Sequence, residues 1–220
     1  MPTPPTQLTL QLLVELDEVT PTVWRRILVP TGIRMARLHD MIQAAMGWTN
    51  SHLHAYTVDS TRYGMCFDEH PEGEIDEQTV TVLQALRGQK SFTYEYDFGD
   101  GWEHTVTIDA EFRTPHALKF AICLSGENAC PPEDSGGPGG FEYFLEALAD
   151  PNHEEHENYV RWNGGDTFDR TAFNLIEVNV ALQKVRQRSS RGPGIWWQSH
   201  STSVNSMRGA AVDMGLGLGS

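Results

Sequence analysis

Between positions 8 and 16 apolar residues occupy every second place: Leu8, Leu10, Leu12, Val14 and Leu16, with mostly polar residues between them. A period of two puts such a set on one face of a β-strand. Pro21 then marks a turn, residues 23–29 read as a second strand, and Pro30 and Gly32 end it. The two segments predict an antiparallel pair. Next the period changes. Leu38, Met41, Ile42, Ala45 and Met46 recur at intervals of three and four, which predicts an amphipathic helix stopped by Gly47.

Residues 52–58 read as a short strand with His52 and His54 on one side. Residues 66–78 are acidic and loop-like, and residues 80–86 form a short helix, with strand as the alternative. The clearest local signal surrounds Gly99. Phe92, Tyr94, Tyr96 and Phe98 share one parity; Trp102, His104, Val106 and Ile108 share another. Paired residues face the same side. A three-residue loop over Gly99-Asp100-Gly101 therefore pairs Phe98 with Trp102 and Tyr96 with His104, with Gly101 left-handed. In that register His104 lies on the apolar face.

Residues 121–124 read as another strand. The run Cys130-Pro-Pro-Glu-Asp-Ser-Gly-Gly137 is a stiff and then flexible loop. Phe141, Phe144, Leu145 and Leu148 form a helical stripe. Asp150 reads as the N-cap of a short acidic helix, with Pro151 at its first position. Gly164-Gly165 breaks the chain, and Phe173, Ile176 and Val180 predict a last helix ending near residue 185. The expectation is one α+β domain over residues 1–186, an antiparallel sheet with hairpins packed against several helices. From residue 187 onward the composition turns to Ser, Gly and Arg, which predicts a disordered low-complexity tail over 187–220 carrying Trp196 and Trp197.

Charge narrows the function. The net charge is −14, concentrated before the tail. Such a domain repels phosphate backbones and attracts cations or basic partners. Pro2, Pro4 and Pro5 stand where a leader would be apolar, and no run is long and apolar enough to span a membrane. Cys66, Cys123 and Cys130 cannot all pair. A cytoplasmic protein with reduced thiols is the expectation.

Candidate chemistry starts with the imidazoles and thiols. His153 and His156 are three apart on the expected acidic helix, and Cys130 and His104 are further donors. Together they suggest a transition-metal site, zinc for example. The competing reading makes His104 a hydrogen-bonded core histidine and the other two solvated. Glu133 and Asp134 follow two prolines and are candidates for holding a basic protein partner, as are Asp100 and Trp102. The glycines at 136, 137, 139 and 140 resemble an anion cradle, but the acidic neighbours make a structural turn the better reading. Asp97-Phe-Gly99 matches a kinase tripeptide with none of its companion motifs, so it reads as coincidence.

Several runs occur in an order that is informative. Asp97-Phe-Gly-Asp-Gly-Trp-Glu-His104, Cys130-Pro-Pro-Glu-Asp-Ser-Gly-Gly137, Asp150-Pro-Asn-His-Glu-Glu-His156, Gly47-Trp-Thr-Asn-Ser-His-Leu-His54 and Trp24-Arg-Arg26 resemble the plasmid pRiA4b ORF-3-like family across about residues 6–185. The resemblance implies an α+β fold and no established activity. Three functions compete: a plasmid- or mobile-element-associated interaction module, a metal-dependent hydrolase or nuclease, and a resolvase-like DNA accessory. The last lacks a basic recognition helix.

Overall fold

The computed structural model describes residues 7–65, 73–114, 116 and 118–188. Cys66, Trp196 and Trp197, and the expected tail from residue 189 on, lie outside the described residues. The alternating segment forms β1 (Gln7–Leu16), antiparallel to β2 (Val23–Pro30). The chain continues through α1 (Met35–Met46), β3 (His54–Val58), β4 (Thr61–Gly64), β5 (Ile75–Asp76), α2 (Val82–Leu86), β6 (Ser91–Tyr96), β7 (Trp102–Thr114) and β8 (Ile122–Glu127). It then enters α3 (Gly137–Ala149), α4 (His156–Asn163) and α5 (Leu175–Arg188). The described strands form one sheet ordered β5-β4-β3-β6-β7-β1-β2-β8. The pairings are antiparallel except β4 with β5, which makes the sheet mixed at one edge.

One sheet face is apolar. Leu10, Leu12, Val14, Leu16, Val23, Ile27 and Val29 are buried there and share a core with Leu38, Ile42 and Ala45 of α1. The other face is polar: on it Gln11 of β1 and Arg26 of β2 both bond Asp109 Oδ2 of β7 at 2.7 Å. Burying one such aliphatic side chain is worth about 1.5–3 kcal/mol. A one-residue slip would turn the whole set outward, so this alternation holds the register.

Arg25 is the exception, a guanidinium 3% exposed on the apolar face. Its N–H groups donate to the carbonyls of Ala45, Trp24, Glu127 and Asn128 at 2.7–3.0 Å. Its flat face covers the Phe173 ring. The Ala45 contact places a cation at the C-terminal end of α1. Arg25 thereby joins β2, α1, the end of β8 and the approach to α5.

Four local expectations are corrected. In the hairpin Tyr96 pairs with Trp102 and Tyr94 with His104, two residues from the expected register. Parity is unchanged, but the loop has five residues, because Asp97 turns left-handed and its Oδ1 accepts from the Gly99 amide. Phe98 is consequently 47% exposed. Strand β3 begins at His54, which leaves His52 in the preceding loop. Asp150 ends α3 instead of starting a helix: its carboxylate takes the Asn152 amide in a local turn, and α4 starts at His156. On α5 the inward residue is Leu182, with Val178 and Val185 beside it; Ile176 is 76% exposed.

The glycine-rich start of α3 is a contact surface for backbone. Gly137 has φ of +72°, and a Cβ there would lie 2.2 Å from the Asp100 carbonyl oxygen. Asp100 Oδ2 accepts the Gly136 amide at 3.0 Å, so an in-chain carboxylate takes that donor. Gly139 has open space and is exposed. Gly137→Ala should cost at least about 2 kcal/mol. Gly139→Ala should be neutral or stabilising by up to about 1 kcal/mol. Urea unfolding of the two variants checks the contrast, and equal effects would contradict this packing.

Candidate functional site

Three loops meet at one end of the sheet. The first follows α1. Gly47 closes that helix at φ +96°, and Trp48 then turns inward, 7% exposed, with Nε1 donating to the Pro131 carbonyl at 2.9 Å. Its ring stacks on Tyr96 at 5.0 Å. The second is the 97–101 hairpin loop. The third is the 130–136 loop, which Glu133 fastens. Glu133 Oε1 accepts from the Tyr96 hydroxyl at 2.5 Å and from the Thr49 amide at 3.1 Å. Its Oε2 accepts from the Thr49 hydroxyl. Burial, and then the bond to Glu133, raise the Tyr96 phenol above its usual range, so it remains a donor.

The three loops bring His52, Asp97 and Asp134 together. One potential ligand atom from each lies within 4.8 Å of the others. His52 Nδ1 is 3.4 Å from Asp97 Oδ2, and His52 Nε2 is 3.1 Å from Asp134 Oδ1. The Nε2 atom is shielded from solvent, and its angle to Asp134 does not make a hydrogen bond. Asp97 is 13% exposed and Asp134 70%, so the cluster opens on the Asp134 side. Asn50, Asp97 and Asp134 all have positive φ, one in each loop. Backbone held in that region tends to concentrate at functional sites.

Under this cluster lies a buried polar layer. His39 and His54 stack with centroids 3.4 Å apart. His39 Nε2 meets Asn50 Oδ1 at 2.6 Å, and since that oxygen can only accept, Nε2 carries the proton. Nδ1 then accepts from the Tyr94 hydroxyl at 2.7 Å, which itself accepts from Gln43 at 3.0 Å. His54 Nε2 meets Glu77 Oε2 at 2.8 Å. Gln43 Oε1 accepts the Asn50 amide at 3.0 Å, so the layer also shapes the loop that carries His52. Burial pushes His39, His54 and His104 each down to about 4 and pushes Glu77 up to about 7.

The expected metal residues are not assembled. Among the described residues no three of His104, Cys130, His153 and His156 come within ligating reach. His104 is wholly buried, and its Nδ1 donates to the Tyr94 carbonyl at 3.2 Å, as the core reading had it. Burial raises the Cys130 thiol well above its usual range, whereas a ligand would be a thiolate. His153 sits outside α4, so it shares no helical face with His156, whose Nδ1 is engaged by the Ala147 carbonyl at 2.8 Å. Of the partner-binding candidates, Trp102 is 1% exposed and offers no face to a partner. Glu133 and Asp100 are spent on Thr49, Tyr96 and Gly136, while Asp134 is open. His52 and Asp97 were missed because one reads as strand and the other as part of a coincidental tripeptide. The available signal was that each cluster residue lies in a different one of the family-like runs.

Comparison places the chain. The family model for plasmid pRiA4b ORF-3-like protein matches residues 8–177. The chain belongs to this family. A relative in Sinorhizobium fredii, the uncharacterized protein y4hQ, is 43% identical over 183 residues, covering 82% of this chain and 94% of that protein. The crystal structure of a protein of unknown function from Methanosarcina mazei Go1 is similar, with a TM-score of 0.67 and 32% identity. It covers 78% of this chain and 97% of its own. These pRiA4b ORF-3-like relatives carry no functional assignment. Among the described residues no helix is long and apolar enough to cross a membrane.

The buried layer has a pH signature. The unfolded histidines take protons near 6.5 and the folded ones only near 4, so acidification through that window favours the unfolded chain. Glu77 acts oppositely: its contribution is complete below 4.5 and is lost as pH rises through 7. Three groups outweigh one, each worth up to about 1.4 kcal/mol per pH unit. Unfolding free energy measured in urea should therefore be lower at pH 5 than at pH 6.5 by at least about 1 kcal/mol. A rise would show that the imidazoles are not held neutral.

Proposed function

We propose that this chain is a cation-binding module whose site is His52, Asp97 and Asp134, and that its cation is a divalent transition metal such as zinc or manganese. The observation that carries the reading is the approach of one imidazole and two carboxylates, from three separate loops, to within 4.8 Å. The shielded His52 Nε2, close to Asp134 but without a hydrogen bond, supports it, since a metal would satisfy that nitrogen. One nitrogen and two oxygen donors suit a borderline divalent ion. A three-residue set leaves positions for water or substrate, as hydrolytic metal sites do. The metal-dependent hydrolase is the finer form of the same reading. The DNA-accessory alternative draws no support from a net charge of −14.

The test is metal content of the full chain, purified untagged and without chelator, followed by calorimetric titration with zinc and manganese. The expected result is close to one equivalent, weakened at least about tenfold by His52→Ala and by Asp97→Asn. His153→Ala and His156→Ala should leave it unchanged. Absence of stoichiometric binding, or retention of the ion in His52→Ala, would overturn the assignment.

A further inference from the structure

Helix α4 buries none of its residues completely, which is unusual for an element within a packed domain. It nevertheless carries two aromatic rings. Trp162 is 46% exposed, and Tyr143 on the neighbouring α3 is 40% exposed. A single exposed aromatic calls for no explanation. These rings are linked: Tyr143 to Tyr159 and Tyr159 to Trp162, each at 6.1 Å and edge-on. The stack fixes their orientation and leaves ring surface open.

Carboxylates flank the Tyr143 ring. Glu146 lies three residues from Tyr143 on α3, and His153, whose ring meets Tyr143 edge-on at 5.1 Å, brings the following Glu154 and Glu155 close to it. Burial, and then these carboxylates and Tyr159, raise the Tyr143 phenol. Residues 120–160 contain no Lys or Arg. The cations that follow are Arg161 on α4 itself and Arg170, which is paired with Glu142 at 2.7 Å. An apolar partner would have to desolvate this acidic rim. Nucleic acid and anionic membrane would be repelled by it. A lysine- or arginine-rich peptide satisfies both components, with its cations over the rings and against the carboxylates.

We propose that the α3–α4 face, centred on Tyr143 and Trp162, docks a Lys/Arg-rich segment of a partner protein. This surface is separate from the His52 cluster and does not depend on a metal there.

The probe is a fluorescently labelled decapeptide of alternating Lys and Arg, with an all-Glu decapeptide as its counterpart. Anisotropy is read against the full chain at low and moderate salt. The basic peptide should bind saturably and the acidic one should not. Tyr143→Ala with Trp162→Ala should weaken binding at least tenfold. Trp162 packs against the buried Phe144, so a second pair guards against misfolding: Glu146→Gln with Glu154→Gln, both exposed, should weaken binding and flatten its salt dependence. Glu18→Gln with Glu103→Gln removes the same charge elsewhere and should have no effect. Equal losses from the two glutamate pairs would mean general attraction to an acidic chain and would overturn the proposal. So would a lack of saturable binding.

Discussion

The Glu133 carboxylate is the constraint on which the arrangement of the loops depends. Its two oxygens hold the Thr49 amide and hydroxyl and the Tyr96 hydroxyl, so one side chain joins the 130–136 loop to the loop after α1 and to the edge of β6. Hydrogen bonds to a carboxylate acceptor are stronger than neutral ones, and losing the acceptor would strand the part-buried Tyr96 hydroxyl. Trp48 repeats the connection in apolar form, stacking on Tyr96 while donating to the Pro131 carbonyl. Asp134 and His52 are brought into proximity by these neighbours more than by their own contact.

The interior under the loops is polar, and burial there disfavours charge on His39, His54 and Glu77. His39, Tyr94, Gln43 and Asn50 satisfy one another in a connected network; His54, stacked on His39, bonds Glu77 through Nε2, and its Nδ1 has no hydrogen-bond partner among the described residues. Networks of this kind specify one arrangement of side chains, because any alternative packing leaves a polar atom unpaired in a medium of low dielectric. Helix α1 contributes both halves of the device. Its apolar residues enter the core, and His39 and Gln43 on an adjacent strip reach the network. The Asn50 link passes this rigidity to the loop that presents His52.

Asp97 and Asp100 show how one hairpin loop serves two purposes. Asp97 uses one oxygen to close its own turn and directs the other at His52. Asp100 caps the amide at the start of α3, and its backbone approaches Gly137 so closely that no side chain fits there. The tripeptide at 97–99 and the glycines at 136–140 are explained by this shared junction. Neither needs a nucleotide or an anion.

What the sequence by itself determined is the periodic part of the molecule. Alternation in β1, β2, β6 and β7 and the three-to-four spacing in α1 and α3 are local patterns tied to burial, and the strand faces and helix inventory follow from them. It also marked, by their unusual composition, the runs that converge at the site. Tertiary structure decided the rest. A shift of two residues in the hairpin preserves every buried face, so parity could not distinguish Phe98 from Tyr96 opposite Trp102; the turn made by Asp97 did. On α5 the choice between Ile176 and Leu182 depended on where β8 and α1 lie. The grouping of His52, Asp97 and Asp134 spans more than eighty positions. Sequence spacing carries no information about such contacts, because they exist only once Glu133 and Trp48 have drawn three loops to the same end of the sheet.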